Sequence, residues 1–537
     1  MSSTFHGIET AKRSLFTQQA ALNTTGHNIA NANTAGFSRQ VVNMTASKPM
    51  EAYGMNRSVT PGQLGTGVEF TSITRVRESF LDDQFRNENK SLGNWSIQAD
   101  TLDKLQTIMN EPSDSGLRTV LDNFWKSWSD LSKDPENVTG RKIVRENAIA
   151  LTDAFNQTSK QLSDLKNDLT NNIQVKVNEI NSTITTIAGL NAEIQRIEGL
   201  GDDANDLRDQ RDLLTDNLSK IANIQVTNTP QGYNISIGGI NLVTGGTFTA
   251  TSEAALESGF ASGDLNSGEV YGMIVSRDKY VADYQNQLDT LANTIANGEV
   301  TITIPAGSVI PEGATLNVVT GTGSNQTVTS TTFSGTSRTL SADLTVQVNG
   351  LNGLHQLGYL FGSPPATGGD FFTAKPGSSG ITATSIQLNP DIAADASKIA
   401  TSLRTDGTGV NETTVKGNNT LAMLMAQLKD TSFTFTAQGS SASSGSGVTS
   451  GTIDEYFRAI IGQLGVQGQE ASRQLNNQKA LVDQVDGRRQ SVSGVSLDEE
   501  MSNMIKFQHA YGAAARFMTS YDQILDKLIN GTGMVGR

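Results

Sequence analysis

Residues 496–528 read SLDEEMSNMIKFQHAYGAAARFMTSYDQILDKL, and this segment carries the strongest periodic pattern in the chain. Apolar side chains recur in it at intervals of seven residues, in two companion rows. The first row is Leu497, Met504, Tyr511, Met518 and Leu525, and the second is Phe507, Ala514, Tyr521 and Leu528. Glu500 is in register with the second row and interrupts it. An apolar seam of this period indicates a helix that packs against a partner helix.

The same segment has a well-formed helix start. Ser496 suits the N-cap position, and Asp498, Glu499 and Glu500 fill the first turn, where the helix dipole favours negative charge. A helix of about 30 residues is only marginally stable alone in water. The apolar seam therefore needs a partner that covers it.

The other end of the chain predicts a matching helix. Its apolar row is Ile8, Leu15, Leu22 and Ile29, again at intervals of seven. A turn follows that is rich in residues typical of helix ends, and its signature positions are Asn28, Asn31, Asn33, Thr34, Gly36 and Phe37. The two seams can pair within one chain as an antiparallel hairpin, or they can pair between copies of the chain. The pattern alone leaves both arrangements open.

Between its ends the chain changes from helix to strand and back. Apolar residues step by three or four from about residue 141 to 198, which predicts one very long helix. Alternating patterns in residues 224–237 and 298–347 predict strands, and helical spacing resumes after Ile453. The predicted fold class is a multi-domain α + β protein. Long-helix terminal and rod-like domains are made from both chain ends, with an inserted β-rich middle.

This order of elements predicts four structural parts, because one hydrophobic core rarely serves a chain of 537 residues. The parts are a terminal coiled-coil assembly domain (1–60 and 495–537), a long-helix rod domain (61–225 and 450–494), a β-rich outer domain (226–297 and 348–449) and a small all-β insertion (298–347).

The composition excludes several classes of function. The formal net charge of −14 argues against general nucleic-acid binding, which needs a basic face. Cysteine is absent, which excludes a disulfide framework, a thiolate metal site and a cysteine nucleophile. No run of about 20 apolar residues is present, so no membrane-spanning helix is expected. The first residues lack the apolar core of a cleaved signal peptide.

We find no motif of catalysis, cofactor binding or metal binding. The histidines lack metal-ligand spacing and are interpreted as solvated or packing residues: His6, His27, His355 and His509. Asp202, Asp203 and Asp206 lack the glycine of a calcium loop and are interpreted as helix caps. The tryptophans lie on apolar helix faces and are expected in the core: Trp95, Trp125 and Trp128. We therefore expect no catalytic residue, no cofactor and no metal.

Several segments resemble the signatures of one protein family. Residues 21–39, ALNTTGHNIANANTAGFSR, are similar to the N-terminal signature of the flagellar rod, hook and hook-associated axial proteins. Residues 496–516 are similar to the C-terminal signature of that family. Four motifs resemble its hook-associated branch, at residues 26–28, 38–40, 206–214 and 493–500. The family commonly has proline before the glycine of its N-terminal signature, where this chain has Ala35.

The resemblance implies a structural component of the bacterial flagellum, a junction or adaptor protein that connects hook to filament by self-assembly of its terminal helices, without catalysis. The implied partners are further copies in a ring, the hook protein, the next hook-associated protein toward the filament, and a cytoplasmic export chaperone on the C-terminal helix. The implied location is extracellular, after type III export without a cleaved signal peptide.

Two other interpretations stay open at this point. One is another flagellar axial protein, such as the hook protein or a distal rod protein. The other, from a different class, is a secreted adhesin or hydrolase whose active surface lies on the β region. That second interpretation needs a concave site with convergent polar groups.

Overall fold

A computed structural model describes residues 5–49, 64–109, 116–321, 326–436 and 447–531. Long helices occupy both ends of the chain and strands occupy its middle, which confirms the predicted fold class. The helices are α1 (His6–Ala30), α2 (Ser79–Met109), α3 (Leu117–Lys133), α4 (Val138–Glu198), α5 (Asn205–Ile221), α6 (Glu253–Ser262), α7 (Glu269–Val275), α8 (Ala282–Asn297), α9 (Gly350–Gln356), α10 (Pro390–Ala394), α11 (Thr420–Gln427), α12 (Ile453–Ser493) and α13 (Leu497–Gly531).

The strands form antiparallel sheets. In chain order they are β1 (Gln40–Ala46), β2 (Val68–Arg75), β3 (Ile224–Thr229), β4 (Gly232–Ile237), β5 (Ile240–Thr244), β6 (Thr247–Phe248), β7 (Glu299–Ile304), β8 (Thr315–Thr320), β9 (Thr327–Thr332), β10 (Leu344–Asn349), β11 (Phe372–Ala374), β12 (Ile386–Leu388), β13 (Thr405–Asp406), β14 (Thr413–Thr414), β15 (Phe433–Thr434) and β16 (Ser450–Gly451). β1 pairs with β2, β3 to β6 form a meander, and the largest sheet has the order β16-β15-β7-β10-β8-β9.

The residues divide into two compact units. Unit 1 comprises Met1–Ser96, Ile173–Gly272 and Leu475–Arg537, and unit 2 comprises Ile97–Asn172 and Met273–Gln474. The long helices α2, α4 and α12 contribute residues to both units. The division into four parts stays a prediction, and its boundary between residues 60 and 61 lies outside the described residues.

The long helix predicted for residues 141–198 is present as α4, which spans 61 residues. Most of the apolar residues in its periodic row are buried, as Leu151, Phe155 and Ile187 illustrate with no exposed surface. The helix ends where Gly199 and Gly201 follow, and Gly201 has a φ of +98°. A residue with a side chain is strained at this φ, so glycine supports the predicted stop.

The start of α5 corrects one prediction. Asp202 and Asp203 do not cap this helix. Its N-cap is Ala204, which has no side-chain hydrogen bond and has φ and ψ of −84° and 55°. Those angles are not the extended conformation of a capped start. Asp206 lies inside the helix and its carboxylate bonds other side chains, as described below.

The core of unit 2 contains two of the three tryptophans. Trp125 and Trp128 are buried on α3, and Trp128 packs on Phe371 with ring centroids 5.5 Å apart. Trp95, which belongs to unit 1, is half-buried. The predicted insertion does form strands β7 to β10, but β15 and β16 from later in the chain extend the same sheet.

Candidate assembly surface of the terminal helices

The two terminal helices pack against each other within one chain. α1 and α13 run antiparallel, because Gly7 lies beside Tyr521 whereas Asn28 contacts Glu500. The helices approach closely at Gly7, where an added Cβ would lie 2.2 Å from Cε2 of Tyr521. Of the two arrangements that the sequence pattern left open, this chain has the antiparallel hairpin. We call α1 and α13 together the terminal hairpin.

The buried residues of α1 are small or polar. They are Gly7, Ala11, Thr17, Ala21, Thr24, Thr25 and Asn28. The predicted seam residues Ile8, Leu22 and Ile29 each follow one of these positions, and with Leu15 they are half-buried. The packing of α1 within its own chain therefore covers this seam only in part.

α13 buries parts of both predicted rows and exposes the rest. Ala514 and Leu525 are buried together with Glu500. Three further seam residues are half-buried: Phe507, Met518 and Tyr521. Four others are exposed by 36% to 50%: Leu497, Met504, Tyr511 and Leu528.

The structure also exposes apolar side chains that the two rows did not include. On α13 they are Met501, Ile505, Phe517, Ile524 and Ile529, and Phe16 on α1 is 59% exposed. The sequence did indicate this wider apolar surface, because a helix whose apolar residues extend beyond one stripe needs more than one neighbour. The terminal hairpin therefore carries an apolar surface wider than the predicted seam.

Asn28 connects three elements at the end of the terminal hairpin where it meets Glu500, and we call this end the base of the hairpin. Its Oδ1 accepts the backbone N–H of Gln40 at 3.0 Å, and its Nδ2 donates to the backbone oxygen of Gln40 at 2.9 Å. The same Nδ2 donates to Oε2 of Glu500 at 3.2 Å. Both Asn28 and Glu500 are buried. This signature residue thus connects α1, β1 and α13.

Hydrogen bonds between neighbouring residues stabilise the rest of the signature turn. Nδ2 of Asn31 donates to the oxygen of His27 at 3.1 Å, and the Thr34 hydroxyl donates to Oδ1 of Asn31 at 3.2 Å. Gly36 has a φ of +79°, as its position in the helix stop predicted. Phe37 is half-buried and meets the ring of His27 edge-on, with centroids 5.4 Å apart. Asn33 is exposed.

The family-like motifs, although distant in sequence, meet at this base. Ser38 donates its N–H to Oδ2 of Asp209 at 2.9 Å, and Gln40 donates from Nε2 to Asp206 at 2.7 Å. Arg39 donates its backbone N–H to the oxygen of Ser493 at 2.8 Å. Residues 38–40 therefore bind both the 206–214 motif on α5 and the 493–500 motif.

Next to this base, acidic residues of α5 form ion pairs with arginines of β2, α2 and α12. Asp209 and Asp212 accept Nη1 of Arg75 at 2.6 and 2.9 Å. Asp216 accepts Nε of Arg86 at 2.8 Å and also pairs with Arg489 of α12. The spacing of residues 206, 209, 212 and 216 places them on one helix face. The sequence therefore contained the signal for an acidic helix face, but we interpreted residues 206–214 only as a motif of the family.

Charge pairing outweighs desolvation at the centre of this network. Burial alone raises the pKa of the Asp212 carboxyl, but the charges of Arg77 and Arg75 hold that pKa below its usual value. The pKa of Arg77 is correspondingly raised, against its own burial, by Asp212 and Asp82. Asp212 and Arg77 are therefore both charged at neutral pH, whereas burial raises the pKa of the Asp209 and Asp216 carboxyls in the same network.

The other features that could carry a function are a metal site, a membrane-spanning helix and the buried histidine His355. Among the described residues, no group of three or more His, Asp or Glu side chains is arranged to hold a metal ion. Within those same residues, no helix has the length and hydrophobicity to cross a membrane. His355, in unit 2, is fully buried between the oxygen of Gly369 and the N–H of Ala400, which makes it a packing residue.

Comparison with known sequences assigns the class of the protein. The N-terminal segment, residues 8–37, matches the flagella basal body rod protein family, and residues 488–531 match the flagellar basal body rod FlgEFG protein C-terminal family. These segments comprise the terminal hairpin and its signature turn. Both ends of the chain thus match segments of flagellar axial proteins.

Further matches identify the particular family. Residues 102–303 match the flagellar hook-associated protein FlgK helical domain. Flagellar hook-associated protein 1 of Bacillus subtilis is 33% identical over 100% of both chains. The protein of the same name from Escherichia coli is 26% identical over 97% of this chain and 99% of its own. The chain belongs to the flagellar hook-associated protein 1 family, whose members are structural components of the bacterial flagellum.

One solved structure is also similar. It is the flagellar hook junction protein FlgK from Burkholderia pseudomallei, which is 15% identical with a TM-score of 0.44, over 76% of this chain and 100% of that one.

Proposed function

We propose that this chain joins the flagellar hook to the filament, and that it does so by packing its terminal hairpin against the terminal helices of neighbouring subunits. Family membership supports the hook-associated role. The observation that carries the mode of assembly is the apolar surface left exposed on the terminal hairpin, where Met501, Ile505 and Ile524 are more than half exposed.

This surface is costly for an isolated monomer in water. Complete burial of one large apolar side chain contributes about 1.5–3 kcal/mol. Contiguous exposed apolar residues on a soluble protein generally mark an interaction site. On α1 the row of Ile8, Leu15, Leu22 and Ile29 is half-buried and so also leaves apolar surface uncovered. A neighbouring subunit that covers both helices would bury the whole predicted seam.

The signature turn has a separate role in this proposal. Ser38 and Arg39, which directly follow the turn, bond Asp209 of α5 and Ser493, and these bonds fix the base of the terminal hairpin relative to the rest of unit 1. A hairpin with a fixed base presents its apolar surface in one direction, which lowers the entropic cost of assembly. The signature residues therefore orient the surface, and the seam residues make the contacts.

The remaining expectations follow from the same assignment. The chain assembles as a ring, with the hook protein on one side and the next hook-associated protein on the other. An export chaperone covers α13 in the cytoplasm, because its exposed apolar residues would otherwise promote aggregation. The protein then passes through the type III channel without a cleaved signal and acts outside the cell. This role requires no catalysis, and the four predicted parts would form successive layers of the junction.

A charge placed on the apolar surface tests the proposal. The double variant Ile505→Glu and Ile524→Glu adds two carboxylates at positions that are 51% and 56% exposed. The monomer is expected to fold, whereas a strain that lacks this protein should fail to regain attached filaments when it receives the variant. Subunit packing cannot bury unpaired carboxylates without a large desolvation cost.

The matched control is Ser502→Glu with Gln523→Glu, which adds the same charge at exposed polar positions of the same helix. This control should restore filaments as wild type does. Normal filament attachment in the Ile505→Glu, Ile524→Glu strain would contradict assembly through this surface.

A further inference from the structure

Unit 1 contains a cavity of about 180 Å³ between α4, α5 and the turn that joins β3 to β4. It has room for several water molecules, each of which needs about 30 Å³ in the liquid. Four arginines line it: Arg75, Arg77, Arg208 and Arg211. Three carboxylates line it as well: Asp82, Glu198 and Asp212.

The oxygens of these carboxylates already accept hydrogen bonds. Asp82 accepts Nε and Nη2 of Arg77 at 2.7 and 2.9 Å, and Glu198 accepts Nε and Nη2 of Arg208 at 2.5 and 2.7 Å. One oxygen of Asp212 accepts Arg75, and the other accepts the hydroxyl of Tyr233 at 2.6 Å. Each oxygen of these three carboxylates thus already has a donor from within the chain.

Arg211 differs from the other arginines of the cavity. It is only 4% exposed, yet among the described residues no carboxylate lies at ion-pair distance from it. Its Nη1 donates to Oδ1 of Asn191 at 3.1 Å, and its guanidinium lies 3.6 Å from the ring centroid of Tyr233. Its Nε has no hydrogen-bond partner within the described part of the chain. A buried charge without a counter-charge is strongly destabilising.

Burial is the main cause that lowers the pKa of the Arg211 guanidinium. Tyr233 and Asp212 raise this pKa, and the charges of Arg208 and Arg75 lower it further. Arg208 is 39% exposed and uses two of its nitrogens on Glu198, so the third can face a ligand. Arg208 and Arg211 thus bring guanidinium groups to one cavity, and Arg75, whose Nη1 bonds Asp209 and Asp212, lines it as well.

We propose that this cavity binds a small oxyanion of the phosphate type, held by Arg211, Arg208 and Arg75. Planar guanidinium groups donate paired N–H bonds that match the oxygens of such an anion. The anion would supply the counter-charge that Arg211 lacks. Asn191, which is fully buried and also bonds the backbone of Tyr233 and Gly245, would hold Arg211 in position. Bound anion would stabilise unit 1 and would be independent of the apolar assembly surface.

Titration calorimetry of inorganic phosphate into the full chain, at constant ionic strength set with chloride, tests the proposal. Wild type is expected to show saturable binding with one site per chain. Arg211→Gln should weaken binding by about tenfold or more, because it removes charge-assisted hydrogen bonds. Arg208→Gln, at the more exposed side of the cavity, should also weaken binding and serves as the readout where Arg211→Gln does not fold.

The matched control is Arg488→Gln, which removes one positive charge from an exposed position of unit 1. It should bind phosphate as wild type does. General stabilisation by phosphate through exclusion from the protein surface is not saturable and needs no specific arginine. Absence of saturable heat with wild type would overturn the proposal, and so would equal affinities for wild type, Arg211→Gln and Arg208→Gln.

Discussion

Asn28 donates a hydrogen bond from Nδ2 to Oε2 of Glu500 at 3.2 Å, across 472 positions of sequence. Both side chains are buried. Glu500 is the residue that interrupts the apolar row of α13, and this contact gives the reason. An apolar residue in its place would leave one amide hydrogen of Asn28 without a partner. The polar pair therefore marks the base of the terminal hairpin and fixes which residues of α1 and α13 face each other.

We predict that Asn28→Ala opens the base of the terminal hairpin. The change removes the bond to Glu500 and leaves the buried N–H and carbonyl of Gln40 without their partner. Unsatisfied buried polar groups cost about 1–3 kcal/mol each, so we expect a loss of about 2–4 kcal/mol of local stability. Amide hydrogen exchange across residues 24–40 should accelerate accordingly. Asn33→Ala is the control, since Asn33 lies in the same turn but is exposed, and it should change exchange little.

We predict that Gly7→Ala weakens the other end of the hairpin. The new Cβ would lie 2.2 Å from Cε2 of Tyr521, so the ring or the helix must shift. Overpacking of this kind costs about 1–3 kcal/mol. Amide exchange should accelerate in the first turns of α1 and around Tyr521.

Gly26→Ala provides a matched control for this change on the same helix. An added Cβ at Gly26 has no atom within 4 Å, so alanine there should stabilise α1 by about 0.5–1 kcal/mol. Replacement of Tyr521 by leucine in the Gly7→Ala chain should recover part of the lost protection. Equal exchange in Gly7→Ala and wild type would show that the two helices are not in close contact there.

The long helices and the signature turn were predictable because their signals are local. Apolar spacing gave α4 and α13 within a few residues, and the position of Gly36 in the turn gave its positive φ. The fold class follows from these elements and from the alternation in the middle segments.

The partners of the buried charges were not predictable in the same way. Asp209 and Arg75 are 134 positions apart, and no local pattern relates them. The acidic spacing on α5 could have predicted a charged face, but not that the face is buried. The partner of Glu500 was not predictable either, because a heptad pattern shows this residue only as an interruption of the apolar row.

We predict that Asp212→Asn destabilises unit 1 strongly. Asp212 is 1% exposed and bonds Arg75 and Tyr233, with Arg77 nearby. Loss of one partner of a buried ion pair costs about 3–5 kcal/mol, because the remaining charge is left unneutralised. The measurement is the free energy of unfolding in urea. Asp202→Asn, at an exposed position outside the network, should have little effect.

The Asp212 carboxyl also predicts the direction in which the stability of the folded chain changes with pH. The pKa of Asp212 in the folded chain lies below that of the unfolded chain, so its contribution is present above an unfolded value of about 3.9. The contribution is lost as the pH falls through the folded pKa. Wild type should therefore lose stability more steeply than Asp212→Asn on strong acidification. Parallel pH profiles of the two chains would contradict this role.

We predict that His355 makes unit 2 less stable in mild acid. Burial lowers the pKa of this imidazole to about 4, against the effect of its hydrogen bond to Gly369. The unfolded chain takes up the proton near pH 6.5, so between about pH 6.5 and pH 4 the unfolded state binds more protons than the folded state. The free energy of unfolding should fall across this range by about 3 kcal/mol as the pH decreases.

The neutral ring is fixed by its neighbours, since Nδ1 contacts the oxygen of Gly369 at 2.6 Å and Nε2 accepts the N–H of Ala400 at 3.0 Å. A proton on Nε2 would break the second bond as well as charge a buried group. His355→Gln removes the titrating group, so its pH profile should be flatter than that of wild type between about pH 4 and pH 6.5. His509→Gln changes an exposed histidine and should leave the profile unchanged. A slope that persists in His355→Gln would assign the acid sensitivity to other groups.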